Sequence, residues 1–409
     1  MNAFYVSVEL RRRPELRGLP VVVGGTGGRG VVSAASYEAR RFGVHSALSS
    51  AVARRLCPDA VFIHPDMDHY LEVSHQLRAI FETFTPLVEQ ISVDEAFMDV
   101  TGARSLIGDA HEVARRLRSR IMDETELPCS VGIAANKFIA KMASEHAKPR
   151  ARESGIEPGF GVFEVRPGEE TAFLHPLPVQ LLWGVGPKTR ERLTALGIHT
   201  IGDLAAIDEE VLCRAVGNAH GRHLHALSKG IDDRAVEPER HAKSIGHEET
   251  FSADIDSHDE LRHHLVRLCD AVARRTREAG VAAGTVMLKV KFASFETVTR
   301  STSPDVPLTT GPSMVAALEP LLRSLDVSMG VRLLGVHAQK LSGESPGAMT
   351  LFDIEPVGSL SDIEEQWVPA SRAVDSIVQK FGEGVIGPAS GLDTHRPGAN
   401  RFGVPDDET

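Results

Sequence analysis

The chain has 409 residues, 42% of them hydrophobic and 25% charged, which excludes a disordered chain and predicts several domains instead of one core. Its net charge of −11 is unevenly spread: from Glu344 to Thr409 there are 12 acidic and 4 basic residues, so an acidic tail carries −8 of the total and a nucleic-acid partner stays open for the rest. Cys57, Cys129, Cys213 and Cys269 form no Cys-x-x-Cys pair, which speaks against a zinc site or a disulfide framework and for a reducing cytoplasm. No apolar run approaches the roughly 18 residues of a membrane span, and the opening segment ending at Arg11-Arg12-Arg13 does not read as a secretion signal.

In chain order, Val21 to Val23 and Val31 to Ala34 read as short strands around a glycine-rich link, followed by a helical stretch from Tyr37 to Phe42 that stops at Gly43. Residues 66 to about 150 alternate helix, hairpin and helix. From Leu174 to Asp233 short helices are punctuated by Gly184, Gly186, Gly197, Gly202, Gly217 and Gly221, and Arg234 to Lys243 reads as a polar linker. Beyond it, strands at Thr285–Phe292 and Val331–Gln339 with helices near 257–278 and 313–325 suit a small α/β sandwich. The tail is rich in Gly, Pro, Ser and acids except for an amphipathic stretch near Val368 to Phe381.

Chemistry concentrates in Ile91-Ser92-Val93-Asp94-Glu95-Ala96-Phe97-Met98-Asp99-Val100. Neighbours on a straight strand point to opposite faces, so Asp94 and Glu95 can share one metal only at the bend of a hairpin. There they would form an oxygen site suited to Mg²⁺; an ordinary acidic turn is the plain alternative. Tyr37 and Arg40 fall on one helical turn, a pair able to hold phosphate oxygens. In Asn136 to Pro149, Phe138, Ile139, Met142 and Ala143 form a buried stripe, while Lys137, Lys141 and Lys148 fall on or near another face. Gly184-Val185-Gly186 followed by Lys188 joins two short helices and could present backbone N–H groups to a DNA phosphate. Gly25 to Gly30 matches G-x-G-x-x-G by letter, yet a strand follows it, so it reads as a hairpin link. His220, His223 and His225 lack partners at ligand spacing, and the basic clusters Arg115, Arg116, Arg118, Arg120 and Arg274, Arg275, Arg277 read as solvated helix faces.

In this order and spacing, Asn2 to Glu9, Tyr37 to Arg40, Ser92 to Ala96, Ser130 to Ile133 with Asn136-Lys137, and Gly184 to Gly186 resemble the Y-family of DNA polymerases from Met1 to about Lys340. The resemblance implies an α+β multidomain fold: a palm (1–10 and 66–153, its first strand missing), fingers (11–65), a helix-hairpin-helix thumb (154–232), a linker (233–242), a little finger (243–341) and an acidic tail (342–409). It implies error-prone, template-directed DNA synthesis past damaged bases, with two Mg²⁺ ions, primed template DNA and deoxynucleoside triphosphates. Asp94 and Glu95 would be catalytic and, with Met1, hold metal; Tyr37, Arg40 and Lys148 would contact the triphosphate; Tyr5 would be a steric gate against ribose; Gly184, Val185, Gly186 and Lys188 would hold DNA.

Three departures from the family pattern stand out. The family places an Asp just before the position of Met1, so an upstream extension ending in Asp is expected. Arg150 to Phe163 replaces a short glycine turn. The sliding-clamp peptide keeps Leu351-Phe352 but has Ala348 in place of Gln. Two rivals remain: a catalytically inert DNA-binding repair scaffold, because the first Asp is absent, and another palm-type enzyme such as a nucleotide cyclase, against which the thumb-like block speaks.

Overall fold

The computed structural model describes residues 1–239, 242–343, 359–382 and 385–387. Two compact units divide the chain, Met1–Arg240 and His241–Thr409, so the division falls inside the polar stretch read as a linker.

The first unit opens with α1 (Phe4–Arg12), whose Phe4, Val6 and Val8 are buried. Three short strands then form a small sheet: β1 (Val21–Gly24) pairs antiparallel with β2 (Val32–Ala35) and parallel with β3 (Val61–Ile63). The glycine-rich link therefore is a hairpin connection. After β2 come α2 (Tyr37–Arg40) and α3 (Ser50–Leu56), where Ser36 and Ser49 accept hydrogen bonds from first-turn N–H groups and so fix where each helix starts. Asp66 caps α4 (Met67–Glu82), which buries Tyr70, Val73, Leu77 and Ile80 at helical spacing.

The acidic hairpin follows as β4 (Val88–Gln90) and β5 (Ala96–Met98), then α5 (Arg104–Ile107) and α6 (Ala110–Thr125). Next come β6 (Val131–Ile133) and α7 (Lys137–His146), the latter capped by Asn136. A Cβ on Gly132 would lie 2.0 Å from the Ala140 carbonyl, so only glycine lets β6 lie this close to α7. The stretch that departs from the family pattern is ordered: β7 (Arg150–Arg152) and β8 (Gly155–Glu157) form an antiparallel hairpin, and β9 (Val162–Glu164) returns parallel to β6. The unit closes with α8 (Glu170–Leu174), α9 (Pro187–Ala195), α10 (Ile201–Ala206), α11 (Glu209–Val216) and α12 (Asn218–Ser228), packed around Leu193, Ile201, Leu204, Leu212 and Leu224.

The second unit runs β10 (Ser244–Ile255), α13 (His258–Glu278), β11 (Val281–Phe292), β12 (Thr297–Thr302), α14 (Gly311–Arg323), β13 (Val331–Gly343) and α15 (Leu360–Phe381). The strands form an antiparallel sheet in the order β10-β13-β11-β12. Its core joins Leu261, Leu265 and Leu268 of α13 and Leu318 of α14 to Val286 and Leu288 of the sheet.

Several boundaries differ from the sequence reading. Strands β10 and β12 escaped it because both lie at sheet edges and are largely polar and exposed, leaving no apolar alternation to follow. The tail stretch expected from Val368 begins at Leu360, where a Ser359/Asp362 capping box starts the helix, and Pro369 lies inside it. Arg277 is not on a solvated face: its side chain is 8% exposed and pairs with Asp375 at 2.6 Å. No helix among the described residues is long and apolar enough to cross a membrane.

Candidate active site

The hairpin bend sets the site. Its last ladder pair is Gln90 with Ala96, and the bend between them carries Asp94 and Glu95, both half-buried, as the alternation argument required. Ser92 Oγ donates to Asp94 Oδ1 at 3.0 Å, and the Met1 α-ammonium lies 3.3 Å from Asp94 Oδ2 while donating to the Asp94 carbonyl at 2.9 Å. Met1 and Asp94 are thus brought together.

Helix α7 supplies the opposing charge. Lys141 Nζ donates to Glu95 Oε2 at 3.0 Å, and Lys148, just past the helix, lies 3.8 Å from Glu95 Oε1 and 2.5 Å from Glu145. Burial would push the Glu95 carboxyl up, but the Lys141 hydrogen bond and the charges of Lys141, Lys148 and the α-ammonium outweigh it and hold Glu95 below the ordinary carboxylate range. Met1, Asp94, Glu95, Lys141 and Lys148 line one cavity of about 620 Å³.

The basic face expected on α7 is not uniform. Lys137 is buried and donates to Glu89 of β4 at 2.6 Å, because its turn of the helix packs on the hairpin instead of facing water. Lys141 and Arg234, which both line the cavity, lie over the Trp183 ring, the Arg234 guanidinium at 5.0 Å and the Lys141 ammonium at 5.8 Å from its centre.

Tyr37 and Arg40 do share one turn, α2, with the Arg40 guanidinium 4.7 Å from the Tyr37 ring centre. Burial raises the Tyr37 phenol, with Arg40 and Lys148 pulling the other way, so the charge of Lys148 reaches this pair. Tyr5 sits on α1, stacked on Tyr70 with ring centres 4.6 Å apart; burial and then the Asp94 charge raise its phenol. Gly184, at φ +100, turns the chain into α9, for which Gly186 is the N-cap without any side-chain cap; Lys188 is exposed on the first turn. Gly184, Val185, Gly186 and Lys188 do not line the carboxylate cavity. Leu351 and Phe352 lie outside the described residues.

Sequence reasoning missed Lys141 as the partner of Glu95, although its place on α7, four residues from Lys137, was a usable signal.

Family models described as impB/mucB/samB family match residues 1–145 and, for its C-terminal domain, 242–351, and a DNA polymerase-iota thumb-domain model matches 180–232. The DNA polymerase IV of Desulfatibacillum aliphaticivorans is 42% identical over 95% of this chain and 95% of its own. The chain belongs to the impB/mucB/samB family, the Y-family of DNA polymerases. It is a DNA-directed DNA polymerase, and the inert-scaffold reading finds no support among its relatives. The DNA polymerase IV of Halorhodospira halophila is 43% identical over 85% of this chain and 94% of its own, and that of Streptomyces coelicolor 43% identical over 84% and 70%. Among solved structures, a Y-family polymerase chimera matches with TM-score 0.74 at 22% identity over 84% of this chain and 98% of that one. An insertion ternary complex of Dbh DNA polymerase gives 0.58 at 23% over 84% and 98%. The family fold, with its helix-hairpin-helix thumb and C-terminal domain, is the one described above.

Proposed function

We propose that this polymerase copies primed template DNA past damaged bases, with low fidelity, by Mg²⁺-dependent nucleotidyl transfer at the hairpin bend. The observation that carries the reading is Glu95 kept ionised beside Asp94 in one cavity with Lys141 and Lys148. The donor set fits a hard cation: two carboxylates on a bend, with substrate phosphates to complete the shell, are what Mg²⁺ takes. Asp94 and Glu95 would hold it at the Met1 end of the cavity; when bound, Mg²⁺ lowers the pKa of a primer 3′-hydroxyl and offsets charge on the phosphates.

The chain's own residues supply positioning and electrostatics. Lys141 orients Glu95 and keeps it charged. Tyr37, Arg40 and Lys148 would bind the incoming triphosphate, Arg40 through its planar fork. Tyr5 would exclude a ribose 2′-hydroxyl by shape. The first turn of α9, with Gly184, Val185, Gly186 and Lys188, would hold a DNA phosphate on backbone N–H groups that no side chain caps. The Leu351-Phe352 segment would dock on a sliding clamp.

The test is extension of a labelled primer on an undamaged and on a lesion-bearing template, with Mg²⁺ or with a chelator. Asp94→Asn and Glu95→Gln are each expected to lower extension by roughly 10² or more while template binding persists. Extension that survives either change at the intact rate would overturn the assignment of the bend.

A further inference from the structure

The hairpin β7–β8, which stands where the family pattern has a short turn, builds a second cationic pocket against the fingers. A cavity of about 440 Å³ lies between α2 and β7, lined by Tyr37, Arg40 and His45 on one side and by Arg150, Ala151 and Arg152 on the other. The hairpin is tied to this position, since Arg41 donates to the Glu153 carbonyl at 3.0 Å.

Three details point to an anion. The Tyr37 hydroxyl is buried and has no hydrogen-bond partner among the described residues, leaving a donor without an acceptor. Arg40 donates from Nε to the Ala35 carbonyl at 3.0 Å and makes no ion pair among the described residues. Arg150 donates to His146 Nδ1 at 3.1 Å and likewise has no carboxylate partner, whereas Arg152 is paired with Glu157 at 3.1 Å. Glu145, whose charge reaches Tyr37, is paired with Lys148. Arg40 and Arg150 therefore line one space with no carboxylate paired to either among the described residues. A phosphate group would give each of them an acceptor, and guanidinium forks match phosphate geometry.

We propose that Arg150 is an added binding residue for the outermost phosphates of the incoming nucleotide, reaching them from β7 beside Tyr37 and Arg40. The assignment rests on the polymerase reading above, because Tyr37 and Arg40 are shared with it. Arg150 then strengthens the hold on the nucleotide from a strand that the shorter turn would lack, and it does so without touching the carboxylates at the hairpin bend.

The probe is inorganic tripolyphosphate, titrated calorimetrically into the full chain without template or metal, alongside the KM for a deoxynucleoside triphosphate in primer extension. Arg150→Gln is expected to weaken tripolyphosphate binding about tenfold, the worth of one charge-assisted contact, with Arg150→Lys recovering part of it and the loss in extension falling on KM more than on kcat. A companion titration with single-stranded DNA separates the two sources of phosphate. Unchanged tripolyphosphate affinity in Arg150→Gln, no tripolyphosphate binding by the intact chain, or a loss confined to single-stranded DNA each overturns the proposal. A chain that binds tripolyphosphate through Arg150 yet extends no primer defeats the polymerase reading alone.

Discussion

Lys137 Nζ lies 2.6 Å from Glu89 Oε2, with the two side chains only 8% and 7% exposed, so one buried ion pair fastens α7 to the acidic hairpin. Glu89 also accepts the Glu237 backbone N–H at 3.0 Å, which helps satisfy the desolvated carboxylate. Removing one partner strands the other charge in the interior. Lys137→Met or Glu89→Leu alone is expected to cost about 3–5 kcal/mol in denaturant unfolding, and the double change less than either single one. Additive losses in that double-mutant cycle would mean the two groups act independently.

Tyr5 has one observed contact and one proposed role, and substitution tests both. Its ring stacks on Tyr70, and the Tyr70 hydroxyl donates to the buried Glu9 at 2.7 Å, so α1 and α4 are joined through aromatic contact. Tyr5→Ala is expected to lose about 1 kcal/mol of ring pairing, beyond its lost buried area, and to admit ribonucleotides while deoxynucleotide incorporation continues. Tyr5→Phe should retain both stability and selectivity, since exclusion is by shape. Sugar selectivity measured by single-nucleotide insertion decides the matter; a folded Tyr5→Ala chain that still rejects ribonucleotides removes the gate.

In the second unit, Glu364 of α15 is buried at the start of α14. Its carboxylate accepts from the Thr309 N–H at 2.7 Å, the Thr310 N–H at 3.2 Å and the Thr310 hydroxyl at 2.9 Å, and also from the Thr309 and Ser313 hydroxyls. Glu364→Ala leaves buried donors unmatched, each worth roughly 1–3 kcal/mol, and should loosen α15 from α14. Faster amide exchange and earlier protease cleavage within 359–382 are the expected readouts. The Arg277–Asp375 pair is a second fastening, so Arg277→Gln should add to the effect.

Acid should weaken the second unit through Glu249. The His264 hydrogen bond, together with Arg267, holds its carboxyl down to about 2 against the pull of burial. A carboxyl lowered on folding stabilises the folded state above its unfolded pKa of about 4.3, and that contribution fades as pH falls from there toward the folded value. Thermal midpoints measured from pH 5 down to pH 2 should therefore drop more steeply for the intact chain than for Glu249→Gln. Parallel slopes would assign the acid sensitivity to other carboxylates.

The sequence by itself determined the acidic bend. Strand alternation forbids Asp94 and Glu95 from sharing a face unless the chain turns there, and the β-rich arms on either side make that turn a hairpin. It likewise determined the helical turn of Tyr37 and Arg40, the buried stripe of Phe138, Ile139, Met142 and Ala143, and the main strands and helices of the second unit, because each is a local periodicity. Tertiary structure alone decided which charges meet. Lys137 and Lys141 are four residues apart on one helix, yet packing buries the first against Glu89 and leaves the second for Glu95, 46 positions away. The edge strands β10 and β12 were equally hidden, since their order comes from backbone pairing, β10 with the distant β13 and β12 with the adjacent β11, and not from apolar alternation. Arg150 joins Tyr37 and Arg40 only because a hairpin folds back on α2, a contact between segments over a hundred residues apart that no spacing rule encodes.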